Sequence, residues 1–268
     1  MKFIYKGDII LGKTIAIFNQ KGGVGKTTTN INLAACLALK GKKVLILDID
    51  PQGNTTSGVG ISKKGLEKTT YEILVDDKLD PREAIMPTSV ENMHIIPGSV
   101  QLAGAEIELV QLEGREQRLK KAIEKVKKEY DYIFIDCPPS LGLLTINSLT
   151  AVDSVLIPIQ CEFYALEGVS QLMSTIELVK KSLNPNLKIQ GVILSMFDGR
   201  TNLSIQVVEE VKKYFREKVY TTVIPRNVRL AEAPSYGMPI TEYDPKSAGA
   251  IAYGEFAEEF LELEAEEL

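Results

Sequence analysis

Cysteine, histidine and long apolar runs are what this chain has little of. Three cysteines, Cys36, Cys137 and Cys161, stand far apart, and His94 is the single histidine among 268 residues. A metal centre needs convergent ligands at short spacing, and a disulfide framework needs pairs in an oxidising compartment. Neither pattern is present, and the absence of paired cysteines also argues against a carrier of metal clusters. Cys36 is expected to pack within a helix, Cys137 and Cys161 beside strand ends. His94, inside the apolar run 93–96, is expected to be a strand residue rather than a catalyst. No stretch of 18 uncharged apolar residues exists, and the first residues lack an uninterrupted secretory core. The chain is therefore expected in the cytoplasm. It shows no repeat, linker or low-complexity tract.

Its apolar fraction, 44%, is ordinary for a globular protein. A chain of this length fits a single domain, expected over 1–268, and buries roughly three quarters of its unfolded surface. The net charge of −5 looks wrong for a nucleic-acid partner. Residues 255–268, however, hold seven of the 36 acidic residues and no base, which leaves 31 basic against 29 acidic residues before them. Affinity for a polyanion depends on the local field, and the global sign here is set by the tail.

What the chain does have is Gln20-Lys21-Gly22-Gly23-Val24-Gly25-Lys26-Thr27-Thr28, a glycine-rich turn directly after the apolar run 14–18. The run predicts a buried strand and the residues from Thr27 a helix, with apolar positions at helical spacing up to a stop at Gly41. Such a turn lets backbone N–H groups converge on phosphate oxygens at a helix N-terminus. Lys26 would reach terminal phosphates and Thr27 would offer its hydroxyl to Mg²⁺. Gln20 departs from the general pattern, which begins on glycine, and Lys21 is a second lysine where one suffices.

Beyond the turn, short apolar runs at 44–48, 95–96, 132–136, 154–158, 190–196 and 222–224 alternate with helical patterns at 118–128, 169–181 and 203–215. The alternation predicts an α/β fold of three layers, a mostly parallel twisted sheet covered by helices on both faces. Ligands of such sheets lie beyond the carboxyl ends of the strands, where Lys21, Asp50 and Asp136 all fall. Asp136 ends a covered strand and would hold a Mg²⁺ ion, directly or through one of its waters. Residues 58–81 predict a loop-rich excursion with a short helix.

Three segments together carry a family resemblance: residues 19–28, then Asp48-Ile49-Asp50-Pro51-Gln52-Gly53-Asn54, then Ile135-Asp136-Cys137-Pro138-Pro139-Ser140. With Ile224-Pro225-Arg226-Asn227 and residues 231–235 added, the chain resembles the ParA family of deviant-Walker P-loop ATPases over about residues 12–260. In that family Gln20 is the ordinary residue. The resemblance implies an ATP-dependent homodimer in which Lys21 crosses to the neighbour's phosphates. It implies that Gly22, Gly23, Val24, Gly25, Lys26, Thr27 and Thr28 cradle ATP, and that Asp50 directs the attacking water. Asp48 would support the strand end or join the metal shell with Thr27, Asp50 and Asp136. Adenine is implied because no Asn-Lys-x-Asp guanine signature is present; Met196, Pro225 and Asn227 resemble the family's base-side surface.

The family also implies non-specific double-stranded DNA as a ligand, a ParB-like protein as stimulating partner, slow intrinsic turnover, segregation of chromosome origins and a nucleoid location. A role toward the replication initiator is a further possibility it carries. Residues 200–229 hold seven bases against three glutamates, and Lys212, Lys213, Arg216, Arg226 and Arg229 are the expected DNA contacts. The main alternative is a membrane-associated ATPase of the MinD type, which positions the division machinery and needs a cationic amphipathic C-terminal helix. The stripe with Phe256 and Phe260 faces glutamates instead, so that end is expected to pack on the body and then fray, without a membrane partner. A metabolic ligase or kinase would need a second substrate pocket, for which no residues stand out. Residues 1–11 are expected to form a short strand or stay loose. They are too few for the helix-turn-helix domain that some members carry, so operator-type autorepression is not expected.

Overall fold

A computed structural model describes residues 12–162 and 168–266. The expected strand or loose segment at residues 1–11 therefore lies outside the described residues. In chain order the elements are β1 Lys13–Ile17, α1 Lys26–Leu39, β2 Val44–Asp48, α2 Asn54–Gly58, α3 Thr70–Val75, β3 Met86–Pro87, β4 Met93–Ile96, α4 Leu102–Glu108 and α5 Arg118–Val126. There follow β5 Tyr132–Asp136, α6 Leu143–Ala151, β6 Ser154–Gln160, α7 Val169–Ser182, β7 Lys188–Phe197, α8 Asn202–Phe215, β8 Val219–Pro225, α9 Val228–Glu232, α10 Ile240–Tyr243 and α11 Ala248–Glu266.

The strands form one sheet in the order β3-β4-β2-β5-β1-β6-β7-β8, parallel except for the two-residue β3. Its central strands are buried on both faces, so they carry continuous apolar runs, not alternating ones. One face packs α1 and α11 on Ile15, Ile17, Ile46 and Phe134. The other packs α5, α6, α7 and α8 on Ala16, Leu45, Ile133 and Ile135. The expected three-layer α/β architecture is what the chain forms. Parallel register sets Ile17 and Asp48 on either side of Asp136, which brings the end of β1 and two carboxylates to one place on the carboxyl edge.

Local chemistry explains the boundaries. Gly41, at φ 81°, ends α1 in a conformation that disfavours a side chain. Thr69 and Glu72 form a reciprocal capping box that starts α3 inside the expected loop-rich excursion. The apolar segment of α6 and the short α4 have no expected counterpart, because neither carries a strong period in sequence.

The C-terminal helix is held more firmly than its glutamates suggested. Tyr253, Phe256 and Phe260 are fully buried, with the Phe260 ring 5.4 Å from Tyr132 and the Phe256 ring 4.8 Å from Tyr220. Glu264 accepts from Lys13 Nζ at 2.6 Å, and Glu258 from Lys40 Nζ at 2.7 Å. Glu259 accepts the backbone N–H groups of Thr221 and Thr222 on β8, at 2.6 and 2.8 Å. The expected fraying is not seen up to Glu266; residues 267 and 268 lie outside the described chain. Phe260→Ala should destabilise the fold by about 3–5 kcal/mol through the cavity it leaves, read as a lower denaturant midpoint. An unchanged midpoint would mean that α11 is not part of the core.

Candidate functional site

The loop between β1 and α1 turns on Gly23 and Gly25, at φ 74° and 91°. Nothing stands within 4 Å of where a Cβ on Gly22 or Gly23 would be, so the loop presents open backbone. It is braced from below. Asn19 Nδ2 donates to the Pro158 carbonyl at 2.8 Å, while its Oδ1 accepts from the Lys21 N–H at 3.0 Å. Gln20 Nε2 donates to Thr175 Oγ1 of α7 at 2.8 Å, and Ser195 Oγ donates to the Val24 carbonyl at 2.8 Å. Three neighbouring elements thus fix the curve of the loop. Gln20, anomalous in the general pattern, serves as one of the braces.

The two lysines of the loop are placed differently. Lys26 is buried and its Nζ donates back to the Lys21 carbonyl at 3.0 Å. Burial lowers the pKa of its ammonium group, and Asp136 works against that shift. Lys21 is half-buried on the outer turn.

Beneath Lys26, Asp136 Oδ2 accepts two hydroxyl hydrogen bonds, from Thr27 and Thr55, each at 2.7 Å. Its Oδ1 is buried with no hydrogen-bond partner among the described residues. A buried carboxylate oxygen with nothing to accept from is costly unless a cation or water completes it. With the Thr27 hydroxyl beside it, the donor set is all oxygen and fits Mg²⁺. Asp48 differs, since both of its oxygens are engaged. Oδ2 accepts from Thr56 N at 2.8 Å and Thr56 Oγ1 at 2.7 Å, and Oδ1 from Asp50 N at 3.2 Å. Of the two roles open to Asp48, the structure favours support of the strand end. Asp50 sits half-buried at the mouth, its Oδ1 accepting from Gln52 N at 2.9 Å.

Burial pushes the carboxyl pKa of both Asp48 and Asp136 up. The charge of Asp136 adds to the shift on Asp48, whereas the Thr55 and Thr27 hydroxyls oppose the shift on Asp136.

Met196, Pro225 and Asn227 line one cleft of about 320 Å³ beside the loop, together with Gly25, Thr28 and Tyr253. Met196 holds φ 53°, a strained value for a non-glycine residue at the end of β7. Thr55 and Tyr253 were not singled out from sequence. The first could have been sought among hydroxyls following Asp50; the second is contributed by α11 and had no local signal.

The five expected DNA-contact residues do not form one patch. Arg226 and Arg229 lie at the carboxyl end of β8, whereas Lys212, Lys213 and Arg216 lie at the far end of α8, roughly 20 Å of helix away. A crossover helix between parallel strands must run from one sheet edge to the other, and this separates residues close in sequence. Arg226 pairs with Glu162 at 3.1 Å, Arg229 with Glu232 at 2.9 Å, and Lys213 with Glu210 at 2.6 Å.

This is the anatomy of a P-loop nucleotide-binding protein with an extra lysine in its loop. The AAA domain family matches residues 12–189. The chain is 66% identical to the sporulation initiation inhibitor protein Soj of Bacillus subtilis over 93% of its length and 98% of the relative's. It is 54% identical to the chromosome partitioning protein ParA of Myxococcus xanthus, over 92% and 87%. Among solved structures it is similar to the septum site-determining protein MinD of Pyrococcus horikoshii complexed with Mg-ADP, with a TM-score of 0.78 and 29% identity over 94% and 97% of the two chains. The chain belongs to the ParA/MinD family of ATPases, and within it is of the ParA type. No helix among the described residues is long and apolar enough to cross a membrane.

The carboxyl pair predicts a pH dependence. An aspartate with a raised folded pKa binds its proton more tightly folded than unfolded, so its contribution to stability falls as pH rises through that interval. Without divalent metal, Asp136→Asn should therefore be more stable than the native chain at about pH 8, and the gain should vanish near pH 4. Denaturation across that range checks this; a gain independent of pH would assign it to packing.

Proposed function

We propose that this chain is a timed ATP switch: it binds ATP and Mg²⁺, pairs with a second copy, holds DNA without sequence preference, and lets go on hydrolysis. The observation that carries the reading is the division of labour between the two lysines. Lys26 is turned into its own loop, while Lys21 lies half-buried on the outer turn beside β6 and α7. Held to no phosphate-facing position of its own loop, it is the lysine that serves phosphates held by a neighbour. The backbone of Gly22, Gly23, Val24 and Gly25, with Thr28, cradles the phosphates, and the Met196, Pro225 and Asn227 cleft takes the adenine.

Thr27 and Asp136 would hold the Mg²⁺ ion, with Asp50 beside them; when bound, the ion offsets charge on the phosphates. Asp50 orients a water molecule and accepts its proton as the water oxygen attacks the γ-phosphorus. The bond to the bridging oxygen breaks, leaving ADP and phosphate. Lys26 and the partner's Lys21 stabilise charge on the transferring group. Turnover is slow until a ParB-like partner at a chromosome origin stimulates it, and release of the pair frees the DNA.

DNA contact is assigned first to Arg226 and Arg229, next to the base cleft, where pairing of two copies would double them across one face. Lys212, Lys213 and Arg216 form a second cationic group that phosphates can use. What supports DNA over a lipid surface is α11, whose aromatic stripe is spent in the core. Nucleoid association follows from this reading.

Gel filtration with ATP, followed by DNA binding on the same fractions, tests the switch. Asp50→Ala should accumulate as a dimer that binds DNA, with turnover down roughly 100-fold or more. Lys21→Ala should give neither dimer nor DNA binding. A Lys21→Ala chain that pairs like the native one would sink the reading. Arg229→Ala should keep the dimer, weaken DNA binding for all sequences and reduce the salt slope by about 1; an unchanged slope would remove Arg229 from the interface.

A further inference from the structure

Two buried oxygens without a hydrogen-bond partner among the described residues belong to the side chains on either side of one hydroxyl. They are Asn30 Oδ1 and Asp136 Oδ1, and the hydroxyl is that of Thr55. Asn30 lies one turn along α1 from Thr27, and it and Thr55 are fully buried. Asn30 Nδ2 donates to Thr55 Oγ1 at 3.3 Å, and Thr55 Oγ1 donates to Asp136 Oδ2 at 2.7 Å. A hydroxyl has a single proton to give. Were the amide turned over, its oxygen would compete with Asp136 for that proton. As it stands, the amide leaves its own oxygen unpaired and directs the proton to the carboxylate.

The next residue of α2 holds Thr55 in place. Thr56 Oγ1 and the Thr56 N–H both donate to Asp48 Oδ2, at 2.7 and 2.8 Å, and Thr56 Oγ1 accepts from the Gly98 N–H at 2.8 Å. Successive residues of this short helix are thus bound to the two neighbouring carboxylates. Asp136 Oδ2 also accepts from Thr27 Oγ1 at 2.7 Å. A carboxylate oxygen has two lone pairs, so Thr27 and Thr55 between them occupy Oδ2 completely. Only Oδ1 is left to face an ion or a water of its shell.

We infer that Asn30 and Thr55 set the metal preference of this site: by closing Oδ2 they keep Asp136 from grasping an ion with both oxygens, and so favour Mg²⁺ over Ca²⁺. The inference rests on the proposal that Thr27 and Asp136 hold the cation of the nucleotide, and adds which residues choose that cation. Ca²⁺ is the larger ion, takes about six to eight oxygens and readily binds a carboxylate through both of its atoms. Mg²⁺ demands an octahedral shell and keeps several of its waters. A carboxylate that offers one oxygen, beside one hydroxyl, suits the smaller ion. Thr27 alone would leave a lone pair of Oδ2 open; the second hydroxyl, aimed by the amide, closes it. Asn30 and Thr55 act through Asp136 and are positioning residues.

Binding of a non-hydrolysable fluorescent ATP analogue to the full chain tests this, with the analogue presented as its Mg²⁺ complex, as its Ca²⁺ complex and with both ions chelated. The native chain should hold the Mg²⁺ complex more tightly than the Ca²⁺ complex. Thr55→Val, which keeps the shape of the side chain and removes its hydroxyl, should reduce that preference roughly tenfold, and Thr55→Ser should restore it. Asn30→Leu, which leaves the Thr55 hydroxyl undirected, should reduce it by a smaller factor, and it carries the test if Thr55→Val does not fold. A variant that weakens both complexes equally has lost structure and not discrimination; that result, or an unchanged preference, overturns the inference. So does a native chain that binds both complexes equally well. If the native chain binds the analogue no better with Mg²⁺ than with the ions chelated, the metal site of Thr27 and Asp136 is itself wrong, and the inference falls with it.

Discussion

A carboxylate sealed under the end of a central strand is the constraint on which the carboxyl edge depends. Asp136 is fully surrounded by protein, yet two hydroxyls satisfy only one of its oxygens. Asp48 sits beside it in parallel register, so two acidic groups share a space from which water is excluded. An apolar pair of similar size would be easier to bury. The arrangement makes physical sense for a protein that works with a cation in place. One of those hydroxyls comes from the first turn of α1 and the other from α2, so the same oxygen that prepares the site also ties together the loops that surround it.

Around that point the architecture separates rigid from adjustable parts. The backbone of β6 and side chains of β7 and α7 hold the phosphate loop from three directions, and it behaves as a fixed cradle. Asp50 and the turn after it are held chiefly by local hydrogen bonds to Asp48 and Gln52. Position is thus provided by the sheet, while Asp50 sits where the chain can adjust. Rigidity serves binding, and small displacements are left to the part held only locally.

Much of this was legible in the chain itself, for identifiable reasons. Parallel strands buried on both faces have continuous apolar runs, so β1, β2 and β5 could be found at once and their ends located Lys21, Asp50 and Asp136. The glycines needed for the phosphate loop cannot be disguised by context. Other parts depend on long-range geometry. Tyr253 reaches the cleft of Met196, Pro225 and Asn227 from α11, more than two hundred residues after the loop it faces, and nothing near it in sequence says so. The cationic residues between 212 and 229 look like one cluster on paper, but α8 carries three of them to the opposite edge. Charges counted along a crossover helix say little about a surface. The glutamates of α11 hid a similar point: the end expected to pack on the body and then fray is held by Glu264 to Lys13, Glu258 to Lys40 and Glu259 to the backbone of β8.

The tether to β8 has a wider meaning. A sheet edge normally offers outward N–H groups to any passing strand, and that invitation is how many proteins aggregate. Here Glu259 occupies two such donors on one border, while the other border is a two-residue reversed strand that includes Pro87. Both margins are closed to backbone zippering. Any contact between copies of this molecule is therefore left to side chains, and not to main-chain pairing, which once formed would answer to no ligand.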